Sequence, residues 1–152
     1  MGRFDFFRDG EPWFSIPNGV TTEGVTTLLG VGFGGVSPIT PYVGLISESG
    51  YSAVAASDTH ASHPGWNEWT NYSGDRPAWD PATATGGGMA TATPIQWVMS
   101  SGGQLRGAFI ASQAAKGTGA GAIIYCTAVA AAALTVVLAQ VITCTYTLTI
   151  GE

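Results

Sequence analysis

The last part of the chain, residues 141–150, alternates between apolar side chains and mostly threonine. This alternation predicts a β-strand, because successive side chains of a strand point to opposite faces of the sheet. A threonine at nearly every second position indicates that one face meets water, which is typical of an antiparallel sheet. The other, apolar face of the predicted strand consists of Ile142, Cys144, Tyr146, Leu148 and Ile150.

Several segments upstream also have the composition of strands, with β-branched and aromatic residues between Gly or Pro. The chain contains 22 Gly, about twice the usual share, which favours strands joined by tight turns over a helical bundle. We therefore expect an all-β fold, an antiparallel β-sandwich of the jelly-roll kind, formed by residues 20–152 as a single domain. The predicted strands are residues 40–47, 94–99, 104–112 and 120–129, followed by a short apolar piece at 134–138.

One short helix is predicted at the start of this domain. Thr21 or Thr22 can cap it, and Glu23 suits the positive end of the helix dipole. The glycines that begin at Gly30 should end it. They do not form a phosphate-binding loop, because neither a Lys-Ser/Thr pair nor a strand–loop–helix frame accompanies them. The apolar positions at helical spacing are Val25, Leu28 and Leu29.

Residues 1–19 alternate aromatic side chains with charges and prolines. We interpret this segment as an extended N-terminal arm. Terminal segments are usually poorly ordered unless they are held down, and this much aromatic area should be held by something. The arm either docks on a neighbouring molecule or lies across its own domain. The residues predicted to contact a partner are Phe4, Phe6, Phe7, Trp13 and Phe14.

Charge is sparse throughout the chain. Charged residues make up 10% of the sequence and the formal net charge is −5, whereas a typical soluble domain is about 25% charged. Such a surface suits a protein bound to copies of itself, and we expect a homo-oligomer, a dimer or trimer. The five basic residues cannot form a basic patch, which argues against direct binding of nucleic acid. The N-terminus has no signal-peptide pattern, so synthesis in a cytoplasm is expected.

Residues 60–79 contain three of the five Trp residues, both His and two Pro. We interpret them as a long ordered loop held in place by large rings, with an ion pair between Arg76 and either Glu68 or Asp75. The alternative is a surface on which Trp66 and Trp69 stack against a sugar. The side chains predicted to form the loop scaffold, or an interface, are Trp66, Trp69, Tyr72, Arg76 and Trp79.

No catalytic or metal-binding constellation emerges from the sequence. His60 and His63, with Asp58 nearby, lack further ligands at the spacing of a metal site. Glu68 and Asp75 could act as a glycosidase pair only at a separation of about 5–10 Å; a structural ion pair explains them better. No nucleophile is paired with a base. We therefore expect neither an enzyme nor a bound metal or cofactor.

The segment from residue 119 to 138 is uncharged and about as long as a membrane-spanning helix, for which about 20 residues suffice. A spanning helix does not explain the threonine alternation that follows, and no basic residue follows the segment to orient it in a membrane. The β interpretation is therefore preferred, and no membrane is expected as a partner. If residues 123–129 and 141–147 pair as a hairpin, Cys126 and Cys144 could face each other as reduced thiols.

Five motifs occur in a characteristic order along residues 18–150. The capped helix comes first, and the most specific motif is a Gly-Trp-x-Glu-aromatic segment leading to Arg-Pro-x-Trp. In this order the chain resembles small virion structural proteins of tailed bacteriophages, of the capsid decoration or cement type. The motifs are residues 18–25 (NGVTTEGV), 42–46 (YVGLI), 65–79 (GWNEWTNYSGDRPAW), 105–110 (LRGAFI) and the final threonine-alternating strand.

The resemblance implies a β-sandwich subunit on the phage particle. We expect it on the exterior of the head, made in the host cytoplasm and bound to the major capsid protein. It leaves other locations open. One alternative is a module of the tail fibre or tail tip that binds a host glycan through Trp66 and Trp69. A second is a small membrane protein that uses residues 119–138. The short chain, without repeats or a fibrous shaft, favours the capsid.

Overall fold

The fold is taken from a computed structural model that describes residues 2–117, 119 and 121–149. The protein is all-β apart from one helix, and every strand pair in the described part is antiparallel. The elements are β1 (Gly2–Arg8), β2 (Glu11–Val20), α1 (Thr22–Phe33), β3 (Tyr42–Ser47), β4 (Glu68–Trp69), β5 (Gly88–Ala90), β6 (Ile95–Val98), β7 (Gly103–Ala111), β8 (Ile124–Val136) and β9 (Val141–Thr149).

Hydrogen-bonded neighbours form one path, in the order β4-β3-β7-β8-β2-β1-β9-β5, and β6 pairs with β9 beside β5. β2 connects the two halves of this path: its first part pairs with β1, and its last three residues pair with β8. Side chains from both halves share one core, which includes Phe6 and Trp97 from one half and Leu45 and Leu105 from the other.

The two ends of the path are linked by the loop that follows β4. Tyr72 forms a bridge with Met99 just after β6, while Ala78 forms a bridge with Tyr42 at the start of β3. The amide of Ser73 also donates to the carbonyl of Val98 at 2.9 Å. The central aromatic loop therefore joins the two ends of the sheet through backbone hydrogen bonds.

The final strand has the predicted alternation, with Ile142, Cys144 and Tyr146 buried between partly exposed threonines. The prediction for Ile150 lies outside the described residues. The segments at 40–47, 94–99 and 104–112 are strands within about two residues of the expected bounds. Strand β8 is longer than expected and unites two predicted pieces, since it runs from Ile124 to Val136; Ala120, the expected start, is outside the described residues.

Residues 123–129 and 141–147 do not pair as a hairpin. β8 pairs with β7 and β2, whereas β9 pairs with β1, β5 and β6. The N-terminal strands lie between β8 and β9 because their aromatic side chains complete the core. Cys126 and Cys144 are buried free thiols, and Cys126 instead contacts the Tyr146 hydroxyl, with Sγ and Oη 3.9 Å apart.

Of the two alternatives for the N-terminal arm, the structure shows the one in which it lies against its own domain. Residues 2–20 form a β-hairpin within the sheet, because alternate side chains of β1 can be buried while its backbone bonds to β2 and β9. Asp9 and Gly10 make the turn with φ of 52° and 88°, values that asparagine-like side chains and glycine tolerate best. The hairpin is therefore an integral part of the fold.

The helix begins as predicted at a threonine cap, with the Thr21 hydroxyl accepting from the Gly24 amide at 2.9 Å. The Glu23 carboxylate accepts from the amide of Ile124 at 3.0 Å and so ties the first turn to β8. Gly24 is the buried residue of α1, so the helix contacts the sheet mainly through its first turn. None of the described helices is long and apolar enough to span a membrane.

Candidate functional site

Two features of the described surface and loops are candidates for function: the central loop around Arg76, and the exposed side of α1. The rings of the central loop lie inside the protein, with Trp66 2%, Trp69 8%, Tyr72 3% and Trp79 8% exposed.

Trp66 is fixed from three sides. Its Nε1 donates to the Asp58 carboxylate at 2.8 Å, the His63 ring stacks on it at a centroid distance of 3.9 Å, and Phe109 packs against it at 5.1 Å. With so little ring surface in contact with solvent, Trp66 provides no platform on which a sugar could stack. Trp69 is almost as deeply buried, so the structure gives no support to the predicted sugar surface at these two residues.

Arg76 is the centre of the loop, and it is only 3% exposed. Its Nε and Nη2 donate to the two Glu68 oxygens at 2.8 and 2.9 Å, so the pair is bidentate. Nη1 and Nη2 also donate to the carbonyls of Gln113 and Gly117 at 2.9 and 2.8 Å. A buried charge needs such compensation. The sequence left Glu68 and Asp75 open as partners of Arg76, and the structure shows Glu68.

His60 completes the environment of Arg76. Its Nε2 lies 3.1 Å from Arg76 Nη1, and because a guanidinium can only donate, Nε2 must accept. The proton then sits on Nδ1, which lies 3.0 Å from both the carbonyl oxygen and the amide nitrogen of Gly119. A protonated Nδ1 donates to the carbonyl and cannot accept from the amide. Burial lowers the pKa of His60, and the charge of Arg76 lowers it further. We conclude that His60 is neutral and acts as a connector.

The segment after β7 is tied to the loop by a second cation. Lys116 Nζ donates to the carbonyls of Thr70 and Tyr72 at 3.0 and 2.5 Å, and it lies 3.9 Å from the centre of the Tyr72 ring. Burial lowers the pKa of Lys116 and raises that of Tyr72, with the negative charge of Glu68 adding to the rise for Tyr72. Arg76 and Lys116 therefore hold residues 113–117 against the loop.

The cavity beside this cluster has a volume of about 210 Å³ and is lined by His60, Glu68 and Arg76 among others. All of the Arg76 nitrogens already have acceptors, so the guanidinium has no unused donor to offer a ligand. In the described part of the chain, no group of three or more His, Cys, Asp or Glu side chains could hold a metal ion. The cluster is built to hold the loop in place.

The exposed side of α1 is apolar and open to solvent, unlike the buried central loop. Leu29 is 56% and Phe33 90% exposed. No charged residue occurs between Glu23 and Glu48, so the segment itself contributes no charge to this surface. We call it the helix patch; its residues are Val25, Leu28, Leu29 and Phe33, with the exposed Val36, whose amide donates to the carbonyl of Gly30 at 3.1 Å.

The five aromatic residues predicted to contact a partner are divided by the structure. Phe4 and Phe6 are fully buried, and Phe4 packs on Tyr146 with ring centres 4.5 Å apart. Phe7, Trp13 and Phe14 are partly exposed on the β1–β2 hairpin. Only these three have surface available for a partner.

Sequence reasoning did not identify His60 as a partner of Arg76 or the helix patch as a surface. The first depends on how the loop folds back on itself, because His60 and Arg76 are 16 residues apart in the chain. The second had a signal, the uncharged stretch from residue 24 to 47, but the apolar spacing in it was used only to predict a helix. Neither a protein-family model nor a curated protein matches this chain.

Proposed function

We propose that the protein is a bacteriophage virion structural protein of the capsid decoration or cement type. It would bind the major capsid protein on the exterior of the head and stabilise the shell. The observation that carries this proposal is the helix patch, an apolar surface on an otherwise well-packed protein. Large exposed apolar patches on soluble proteins usually mark binding sites. The sequence resemblance to small virion proteins supplies the identity of the partner.

The chemistry of the helix patch suits a protein surface. Fully burying a side chain such as Leu29 or Phe33 contributes about 1.5–3 kcal/mol. Because the patch contains no charged residue, docking does not require a charge to be removed from water. Modest contacts of this kind become strong when many copies bind a symmetric shell.

The helix patch is presented in a fixed position. The Thr21 cap and the bond from the Ile124 amide to Glu23 hold the first turn of α1 against β8. A surface that is already ordered loses less conformational freedom on binding. The patch can therefore act as a preformed contact, and a homo-oligomer, dimer or trimer, would bring two or three copies of it to one junction.

The proposal is tested first by the copy number of the protein in purified virions, measured by quantitative mass spectrometry against the major capsid protein. A ratio near one per capsid subunit, or a simple fraction of it, is expected. A handful of copies per particle would place the protein in the tail instead. Absence from the particle would overturn both locations.

The contact is tested by binding purified protein to particles that lack it. Phe33→Ser and Leu29→Ser should reduce the number of copies bound, whereas Leu138→Ser should bind as the unaltered protein does. Leu138 is a matched control because it is also an exposed leucine, 67% accessible, but lies in the turn between β8 and β9. Equal binding by all three variants would contradict docking through the helix patch.

A further inference from the structure

The outer face of the β1–β2 hairpin contains a groove that the proposed function does not use. Its volume is about 410 Å³, within the range of about 300–1,000 Å³ that small-molecule sites occupy. Aromatic and polar side chains both line it. They include Arg3, Asp5, Trp13, Phe14, Ser15 and Thr145. We call it the hairpin groove.

A β-bulge places Trp13 in the hairpin groove. The register changes between Phe6, which opposes Phe14, and Phe7, which opposes Pro12, so Trp13 is the extra residue of β2. Bulges of this kind redirect a side chain and are common beside functional sites. The Arg8 guanidinium lies 5.0 Å from the centre of the Trp13 ring, and Phe14 meets that ring edge-on at 4.8 Å. The indole is thus held in place while still partly exposed.

The polar side of the groove is a row across three strands. Asp5 on β1 opposes Ser15 on β2 and Thr145 on β9, so these side chains stand side by side at the strand spacing of about 4.8 Å. The Asp5 carboxylate accepts from the Ser15 hydroxyl at 2.5 Å and from Arg3 Nε and Nη2 at 3.1 and 3.0 Å. Arg3 is still 64% exposed, and its Nη1 has no bond to Asp5.

This combination favours one class of ligand. Asp5 offsets the charge of Arg3 and already occupies its Nε–Nη2 edge. Arg8, whose guanidinium lies over the Trp13 ring, stands opposite Glu11 on β2, so an anion such as a phosphate gains little. A purely apolar ligand would remove Asp5, Ser15 and Arg3 from water without replacing their hydrogen bonds. A neutral ligand with many hydroxyl groups satisfies these donors and acceptors and packs its C–H groups on Trp13. We propose that the hairpin groove binds a neutral carbohydrate.

The proposal is independent of the capsid contact, because the groove lies on β1 and β2 and the helix patch on α1 and the residues after it. It also differs from the sugar surface expected at Trp66 and Trp69, whose rings are buried. The tryptophan involved is Trp13, and the polar groups come from the neighbouring strands.

The test uses the full chain on an array of neutral bacterial and plant oligosaccharides, followed by titration of maltoheptaose, cellohexaose and chitohexaose with backbone amide NMR. We expect at least one oligosaccharide to bind and to shift the amides of Asp5, Ser15 and Thr145. Trp13→Ala and Asp5→Asn should each weaken binding about tenfold or more, a change of about 1.4 kcal/mol. Phe33→Ala, which alters an exposed aromatic residue outside the groove, should bind as the unaltered protein does.

Three results would overturn the proposal. The first is no binding to the array and no amide shifts at millimolar oligosaccharide. The second is binding whose amide shifts lie away from the groove. The third is binding that survives both Trp13→Ala and Asp5→Asn. If Trp13→Ala does not fold, Asp5→Asn and the map of amide shifts decide the question, because neither depends on that variant.

Discussion

The Arg76 guanidinium donates to both oxygens of the Glu68 carboxylate, with Nε–Oε1 and Nη2–Oε2 distances of 2.8 and 2.9 Å. Both side chains are buried, with Arg76 1% and Glu68 6% exposed. Seven residues separate the two along the chain. The pair fixes the loop that joins the two ends of the sheet, so its loss should be felt throughout the domain.

We predict that Arg76→Met lowers the free energy of unfolding by ~3–5 kcal/mol, since it leaves the Glu68 charge buried without a partner. Urea denaturation followed by tryptophan fluorescence measures this. The matched control is Arg3→Ala, which breaks a salt bridge whose arginine is 64% exposed and should cost at most about 1 kcal/mol. Similar losses in both variants would show that Arg76 is not central to the fold.

A second prediction concerns pH. Burial, with the charge of Arg76, holds the pKa of His60 below its ordinary value of 6.5, so between the two pKa values the unfolded chain binds more protons than the folded one. The contribution of His60 to the free energy of unfolding is therefore complete above about pH 6.5, and it is lost as the pH falls through the pKa of His60 in the folded protein.

The free energy of unfolding, measured between pH 7.5 and 5.5, should fall more steeply with acid in the unaltered protein than in His60→Gln. Subtracting the two curves removes the common contribution of the carboxylates. Parallel curves would contradict a neutral, buried His60.

Close packing between β7 and β8 gives a third prediction. A Cβ on Gly107 would lie 1.9 Å from the carbonyl oxygen of Ala128, and a backbone atom cannot yield as a flexible side chain can. Gly107→Ala should therefore destabilise the protein by about 1–3 kcal/mol or more. Gly19→Ala in β2, where nothing lies within 4 Å of the added Cβ, should stay within about 0.5 kcal/mol. Thermal unfolding of the two variants measures this difference. An unchanged melting temperature for Gly107→Ala would mean that β7 and β8 lie further apart at this position than the structure shows.

Trp79 should be essential to the core. It is 8% exposed, its Nε1 donates to the Thr91 hydroxyl at 3.0 Å, and its ring meets Tyr146 edge-on at 4.9 Å. Trp79→Ala is expected to cost ~3–5 kcal/mol in urea denaturation. The partly exposed Trp13 provides the comparison, and Trp13→Ala should cost clearly less. Normal stability of Trp79→Ala would show that its ring lies at the surface.

The two cysteines should be chemically inert in the folded protein. Burial raises the pKa of Cys126 to about 11 and raises that of Cys144 as well, and the thiolate is the reactive form. Iodoacetamide at pH 8 should modify both thiols only as fast as the protein unfolds, which mass spectrometry can follow. Rapid modification of either thiol in buffer without denaturant would disagree with this burial.

The sequence by itself determined the class of fold. Alternation in β9, the threonine cap of α1 and the turn glycines are local signals, and the backbone responds to them directly. Proximity along the chain also limited the predicted ion-pair partners of Arg76 to two, Glu68 and Asp75. Local pattern cannot report which strands become neighbours.

Only the tertiary structure decided the rest. The alternation of aromatic and charged residues in β1 is compatible with an extended arm as well as with a strand. The segment becomes a strand because the edge of β9 is available to pair with it, which buries Phe4 and Phe6. The same holds for α1: its apolar spacing is ordinary for a buried helix, yet it contacts β8 only through its first turn and leaves Phe33 exposed. Burial depends on which surfaces meet, and that depends on contacts between residues more than a hundred positions apart, such as Glu23 with Ile124.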